Sequence, residues 1–378
     1  MSRGLSRRGF VRAAGITALT ARAALLQAKL HQAVESSVPS LRPNRFAFVG
    51  VMGATPGVHV YAIDGETWRL RQMVSSEAPI SLALHPSGRS LYVLNEVSSY
   101  RGLPRGSVEA YGMDSETGQL NLLGREGLSL SATMPRHLAV APDGETVVVA
   151  VHGGGAYNRL PILADGCLGR VDGIVKETGC GPVAEYQETA HPQTVLFDTT
   201  GKRVIAADLG CDKVSVLSME DSLEVFARHD MPAGSGPQHL ALHPAGHLLY
   251  VAHALDGSVA GFAYDADAGK IMHQVWQARG EYANALAMHP AGDFLYTAGG
   301  GVVTAWRIEP ATGTLRNLQS REILGNIHAM TVCSDGRQLM VLTSKGILGI
   351  GVDTDSGHLT EPALAVPVSE ARSIALQS

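Results

Sequence analysis

The sequence predicts an all-β fold of repeated small sheets, and three observations carry that prediction. The first is a recurring phrase: a small apolar run, a tight turn of the type Pro-x-Gly, then an apolar run ending near Tyr-Val. Its glycines are Gly88, Gly144, Gly201, Gly246, Gly292 and Gly336, spaced 56, 57, 45, 46 and 44 residues apart. A period of this length with strand–turn–strand content marks a propeller blade. The second is composition: 43 glycines in 378 residues, 17% charged and 45% hydrophobic residues. That supports a large core and excludes disorder or a collagen-like chain. The third lies at the ends of the repeat. Arg45–Gly50 reads as a second strand with no innermost strand before it, and Ser369–Leu376 as an innermost strand with no turn after it. Together they supply a blade that the six turns do not. The expectation is one seven-bladed β-propeller over 45–378, closed by N- and C-terminal strands in one blade, which removes the free sheet edges of an open ring.

Each element has a local cause. Proline presets φ in the turn and glycine takes the positive φ that closes it. The copies are His85-Pro86-Ser87-Gly88, Ala141-Pro142-Asp143-Gly144, Asp198-Thr199-Thr200-Gly201, His243-Pro244-Ala245-Gly246, His289-Pro290-Ala291-Gly292 and Cys333-Ser334-Asp335-Gly336. His85, His243 and His289 recur with the turn, so a structural task is expected of them. A second phrase, at 113–120, 308–315 and 352–359, reads as the hairpin between the two outer strands. A long insertion occupies 156–190.

The N-terminus differs from the rest. Five arginines (Arg3, Arg7, Arg8, Arg12 and Arg22) precede the first acid, Glu35. Ser6-Arg7-Arg8-Gly9-Phe10-Val11-Arg12 has the pattern of a twin-arginine export signal, and the short apolar stretch Ala13–Ala21 leads to a small-x-small site at Ala21-Arg22-Ala23. We therefore expect an export signal and leader over 1–35, a linker over 36–44, and a periplasmic or secreted protein. A basic amphipathic helix or a mitochondrial presequence is the alternative. Loss of 1–23 leaves 25 Lys+Arg against 35 Asp+Glu, a net charge of −10. No later stretch is long and apolar enough to span a membrane, and the negative balance argues against nucleic acid as a partner. A closed ring suggests a monomer.

Chemistry is expected where the inner strands end. In a four-stranded blade the residue before strand one and the residue after strand two meet on one face. Those positions are Pro79–Ser81 with Asn95 and Glu96, Arg136 and His137 with His152, and His191 and Gln193 with Asp208. They continue as Gln238 and His239 with His253, Asn284 with Gly299, and His328 with Thr343. A concave mouth so rich in imidazole is the default site. His137 and His239 could equally tie blade to blade. No HxH, HExxH or CxxC pattern occurs, so neither metal nor cofactor is expected, and no GxSxG elbow is present. Gly153-Gly154-Gly155 lacks the ending of a phosphate loop and reads as a strand-end turn. Of Cys167, Cys180, Cys211 and Cys333, only Cys167 and Cys180 could pair locally; four free thiols is the other reading.

Several stretches carry a resemblance. Leu91-Tyr92-Val93-Leu94-Asn95-Glu96, Pro135-Arg136-His137-Leu138, His152-Gly153-Gly154-Gly155, Ala207-Asp208-Leu209-Gly210-Cys211-Asp212-Lys213-Val214 and Gly236-Pro237-Gln238-His239-Leu240-Ala241-Leu242-His243-Pro244 resemble the propeller-type lactonases. That family includes bacterial 6-phosphogluconolactonases and fungal carboxymuconate cyclases, and the similarity runs from about 46 to 376. It implies a lactonase of a sugar or organic-acid lactone, with a lactone or sugar acid as ligand. His191, His239, Arg136 and His137 would then act in catalysis, and Glu96, His152, Gln193, Asp208, Gln238 and His253 in substrate binding. The cyclase branch places a histidine, an arginine and a glutamate where this chain has Gln193, Gln238 and Ala254. An arginine often found after the next blade is absent from Ala298-Gly299-Gly300-Gly301. Glutamine supplies neither a base nor a charge, so a non-catalytic propeller that binds a small ligand or protein at its mouth is the competing reading. Arg136 is the one arginine expected on the rim.

Overall fold

In a computed structural model of the protein, residues 45–280 and 285–377 are described. They form seven four-stranded antiparallel sheets. The export signal, leader and linker lie outside the described residues, as does Asn284.

Blade 1 is made from both ends of the chain. Its innermost strand is Ala371–Gln377, followed outward by Arg45–Val51, Gly57–Asp64 and Thr67–Ser75. The C-terminal strand thus pairs with the first described strand, as expected, with Phe46 opposite Gln377 and Val49 opposite Ile374. The other six blades follow in chain order. Their innermost strands are Pro79–Leu84, Thr133–Val140, Pro192–Phe197, Pro237–Leu242, Ala285–Met288 and Ile327–Val332.

Burial explains the residue choice strand by strand. The second strands, such as Ser90–Asn95, Leu248–His253 and Phe294–Gly299, are buried at every position. Each is covered on both faces by neighbouring blades, so near-continuous apolar runs suit it. The outermost strands alternate: Glu224–Asp230 reads exposed, half-buried, exposed throughout. The apolar clusters form between sheets. One joins Tyr92 and Leu94 of blade 2 to Leu138, Val147 and Val149 of blade 3.

The turn glycines all take the left-handed conformation, with φ from 67° to 84°. The turn histidines have the structural task expected of them. His85 Nε2 donates to the Gly144 carbonyl at 2.9 Å, and His289 Nε2 to the Gly336 carbonyl at 3.1 Å. Their Nδ1 atoms accept from the Ser87 and Ala291 amides of their own turns, which fixes the tautomer. A Cβ on Gly144 or Gly336 would stand 2.5 Å from the histidine ring, so glycine is required there for space as well as for φ. One blade's turn is thereby latched to the next.

The four cysteines are free thiols. The Cys167–Cys180 pairing is therefore not made. The Cys167 thiol turns toward the Leu123 carbonyl in blade 2, 3.8 Å away, whereas Cys180 is exposed on a separate loop.

His289→Ala should lower stability by about 1–3 kcal/mol, the usual consequence of stranding a buried hydrogen-bonding group. Urea unfolding should show a lower midpoint with an unchanged slope.

Candidate functional site

One backbone device recurs around the hub. In six blades the innermost strand carries a β-bulge against the second strand, near the end of their pairing. The register skips one residue between Pro79 and Ser81, Pro135 and His137, Pro192 and Thr194, Pro237 and His239, and Ile327 and Ala329. It also skips one in the C-terminal strand, where Gly50 faces Ser373 and Val51 faces Ala371. The residues left over are Ile80, Arg136, Gln193, Gln238, His328 and Arg372. All six line one cavity of about 710 Å³ at the hub. A bulge re-aims one side chain and bends its strand, and bulges gather beside active sites for that reason. In four of the blades proline precedes the bulged residue, at a position where no ladder amide is needed.

The residue after the bulge has a different task. Ser81 Oγ accepts from the Leu138 amide of the next blade at 3.3 Å, and Thr194 Oγ1 donates to the Gln238 carbonyl at 2.6 Å. His137 occupies the same register, and its ring hydrogen-bonds the Val195 backbone. His137 is thus a tie between blades. Burial pushes its imidazole down to about 4, the bond to Val195 holding back part of the fall. His239 stands in the corresponding position on blade 5 and also lines the cavity.

His191 differs from both. It precedes the innermost strand of blade 4, and its ring stacks on His152 with centroids 4.2 Å apart and planes 14° apart. His191 Nδ1 lies 3.2 Å from the His152 carbonyl, which can only accept, so the proton is on Nδ1 and the Nε2 lone pair is left to take another. Gln193 Nε2 donates to His152 Nδ1 at 2.8 Å and to the His191 carbonyl at 3.1 Å. The glutamine therefore fixes the pair of imidazoles and keeps His152 neutral. Burial, then His191 and Arg136, push His152 down to about 4.

Three residues stand behind the wall. Glu96 pairs with Arg136 at 2.5 Å, with side chains 13% and 32% exposed. It thereby aims the guanidinium. Asp208 is buried, and its Oδ1 accepts from the amides of His191, Gly210 and Cys211 at 2.8–3.1 Å. Burial lifts its carboxyl to about 6 against those bonds. His253 is fully buried, with Nδ1 3.1 Å from Ser258 Oγ. Asp208 and His253 do not reach the cavity surface.

Sequence reasoning missed Arg372 and placed a single arginine on the rim; the cavity holds two. The signal was present in Ala371-Arg372-Ser373, which occupies the register of Pro135-Arg136-His137 once the C-terminal strand is recognised as innermost. It also missed Glu185 and Tyr186, which reach the cavity from the insertion. Gln187 anchors that segment by donating to the Leu209 carbonyl and to Asp212, at 2.7 and 2.8 Å. Among the described residues no cluster of His, Cys, Asp and Glu could hold a metal ion.

Residues 47–376 match the family described as "Lactonase, 7-bladed beta-propeller". The chain belongs to the seven-bladed β-propeller lactonase family. A Bacillus subtilis 6-phosphogluconolactonase is 27% identical over 222 residues, 58% of this chain and 61% of that protein. A second 6-phosphogluconolactonase, from Formosa agariphila, is 26% identical over 216 residues, 60% of its length. The chain thus spans about 60% of these lactonases. The crystal structure of a periplasmic gluconolactonase from Pseudomonas aeruginosa superimposes with TM-score 0.79 and 25% identity, covering 88% of this chain and 99% of that one. A Bacteroides fragilis structure gives TM-score 0.80 at 23% identity, covering 90% and 100%, and shows likeness of fold. No described helix is long and apolar enough to cross a membrane.

The lowered histidines make stability depend on pH. His137 and His152 have an ordinary value of 6.5 when unfolded and about 4 when folded. Their contribution is complete above 6.5 and is lost as pH falls through 4. Asp208, raised to about 6, works the opposite way over part of this range. The fall in melting temperature between pH 6.5 and 4 should be smaller in His137→Gln than in the parent; equal falls would contradict this assignment.

Proposed function

We propose that the hub cavity hydrolyses a sugar or organic-acid lactone, with His191 as the base. The observation that carries this is the bond from His191 Nδ1 to the His152 carbonyl, which leaves Nε2 able to take a proton in the cavity that also holds Arg136. A water gives its proton to His191 Nε2 while its oxygen attacks the lactone carbonyl carbon. Negative charge develops on the carbonyl oxygen, where the Arg136 guanidinium and nearby backbone N–H groups stabilise it. The tetrahedral centre collapses by breaking the bond to the ring oxygen. That oxygen receives the proton from His191, giving a hydroxy acid whose carboxylate stays near Arg136.

The remaining residues serve these two. Glu96 holds Arg136, Asp208 and Gln193 hold the His191 backbone, and His152, itself bonded by Gln193, stacks on the His191 ring. His137 keeps Arg136's strand against the next blade. His239 and Gln238 form the wall on the far side of Gln193 and contact the sugar. His253 supports that wall from inside blade 5. The named relatives act on gluconolactones, and a periplasmic gluconolactonase shares the fold, so an exported aldonolactonase fits the sequence signal best. A ligand-binding propeller without turnover is the second reading, favoured by the two amides at the bulges of blades 4 and 5.

On a panel of aldonolactones followed by proton release, His191→Ala should lose about 10²–10⁴-fold in kcat and Arg136→Gln about 10²–10³-fold. No turnover above the buffer rate on any lactone would overturn the hydrolase reading and leave the binding one.

A further inference from the structure

The hydrolysis above does not use Arg372, yet the cavity is built to hold it rigidly. Arg372 is the bulged residue of the C-terminal strand and lines the same cavity as Arg136. Its Nη2 donates to Glu370 Oε2 at 2.7 Å, and its Nη1 donates to His328 Nδ1 at 3.1 Å. His328 is itself the bulged residue of the adjoining blade 7. Two neighbouring bulges thus meet across the seam where the ring closes. Glu370 reaches its place with a φ of 59°, a left-handed conformation that non-glycine residues seldom adopt.

The chemistry of this trio is that of a held cation. Nδ1 of His328 can accept from a guanidinium only when that nitrogen is unprotonated, so the ring is neutral with its proton on Nε2. Burial and the Arg372 charge lower the His328 pKa, against a raising effect of Glu370. His328 therefore steadies Arg372 without offsetting its charge. Each terminal nitrogen of Arg372 has two N–H groups and uses one, on Glu370 or on His328. The other two remain for a ligand, and the planar fork matches the two oxygens of a carboxylate. Between Arg372 and Arg136 stands Ile80, the bulged residue of blade 2. Arg372 and Arg136 are thus carried by blades 1 and 3, with an apolar side chain on the blade between them.

We propose that Arg372, seated on Glu370 and His328, is a second anion subsite that takes a carboxylate of the ligand at a distance from the group addressed by Arg136. Combined with the hydrolase reading, on which this substrate assignment rests, it makes the substrate a lactone that retains a free carboxylate and opens to a dicarboxylate. A phosphate dianion is a poorer occupant. It asks for more donors than one fork offers, and it would lie beside the Glu370 carboxylate.

Calorimetric binding of glucarate, gluconate and 6-phosphogluconate to the full chain tests this without turnover. Glucarate should bind about tenfold or more tighter than gluconate, as expected for one added charge-assisted contact. Arg372→Gln should remove that advantage and leave gluconate affinity within about twofold. Arg372→Lys keeps the charge but not the fork, and should cut the preference several-fold even if the glutamine variant folds poorly. Equal affinity for the two acids in the parent, or a glucarate preference that survives Arg372→Gln, would overturn the proposal. A 6-phosphogluconate preference lost with Arg372→Gln would overturn its carboxylate assignment. Retained glucarate preference in a protein inert on every lactone would refute the hydrolase reading alone and leave the subsite standing.

Discussion

The site depends on a single backbone constraint, the extra residue that the inner strands of six blades carry where they meet the second strand. A regular strand running along the hub would send alternate side chains into the neighbouring sheets. In six blades the bulge breaks that alternation once, which turns an extra side chain into the cavity while the following residue, as at Ser81 and Thr194, bonds the next blade. Convergence of six bulged residues follows from the closed ring rather than from any local motif. Neighbours in the cavity therefore come from sequence positions as distant as 80 and 372.

The same constraint separates residues that act from residues that support. Arg136 and Arg372 face the cavity, each held by a carboxylate from behind or beside it, Glu96 and Glu370. A half-buried guanidinium held in this way is pre-oriented and keeps spare donors, which is what an anion-binding group requires. Gln193 donates to the His152 ring and to the His191 carbonyl, and the two imidazoles stack on each other. The glutamine that breaks the resemblance to the cyclase branch is thus not an empty position; it sets which nitrogen of His152 bears the proton.

Much of this was legible in the sequence. The turn glycines, the latching histidines and the closing blade follow from a repeat whose φ requirements and strand periods are local properties. The rim residues were legible because position within a blade fixes which end of the hub they occupy. What the repeat could not show was side-chain direction. His137 and Arg136 are adjacent in sequence and both line the cavity, and only the bulge decides that Arg136 is the extra residue while the His137 ring bonds the Val195 backbone. Asp208 and His253 face Pro192 and Pro237, the register that Val151 holds in blade 3, one residue short of His152, and both are buried. Arg372 was hidden because its strand has no turn phrase to mark the register. Glu185 and Tyr186 belong to an insertion without a repeat, so no periodicity locates them.

The central claim is that the bulged residues of the inner strands form one ligand site at the hub. A crystal structure of the protein soaked with gluconate tests it most directly. The account predicts the carboxylate within about 3 Å of an Arg136 nitrogen, beside His191. Gluconate bound instead on the opposite face, in the hollow formed by the turn residues His85, Ser87 and Arg89, would contradict it.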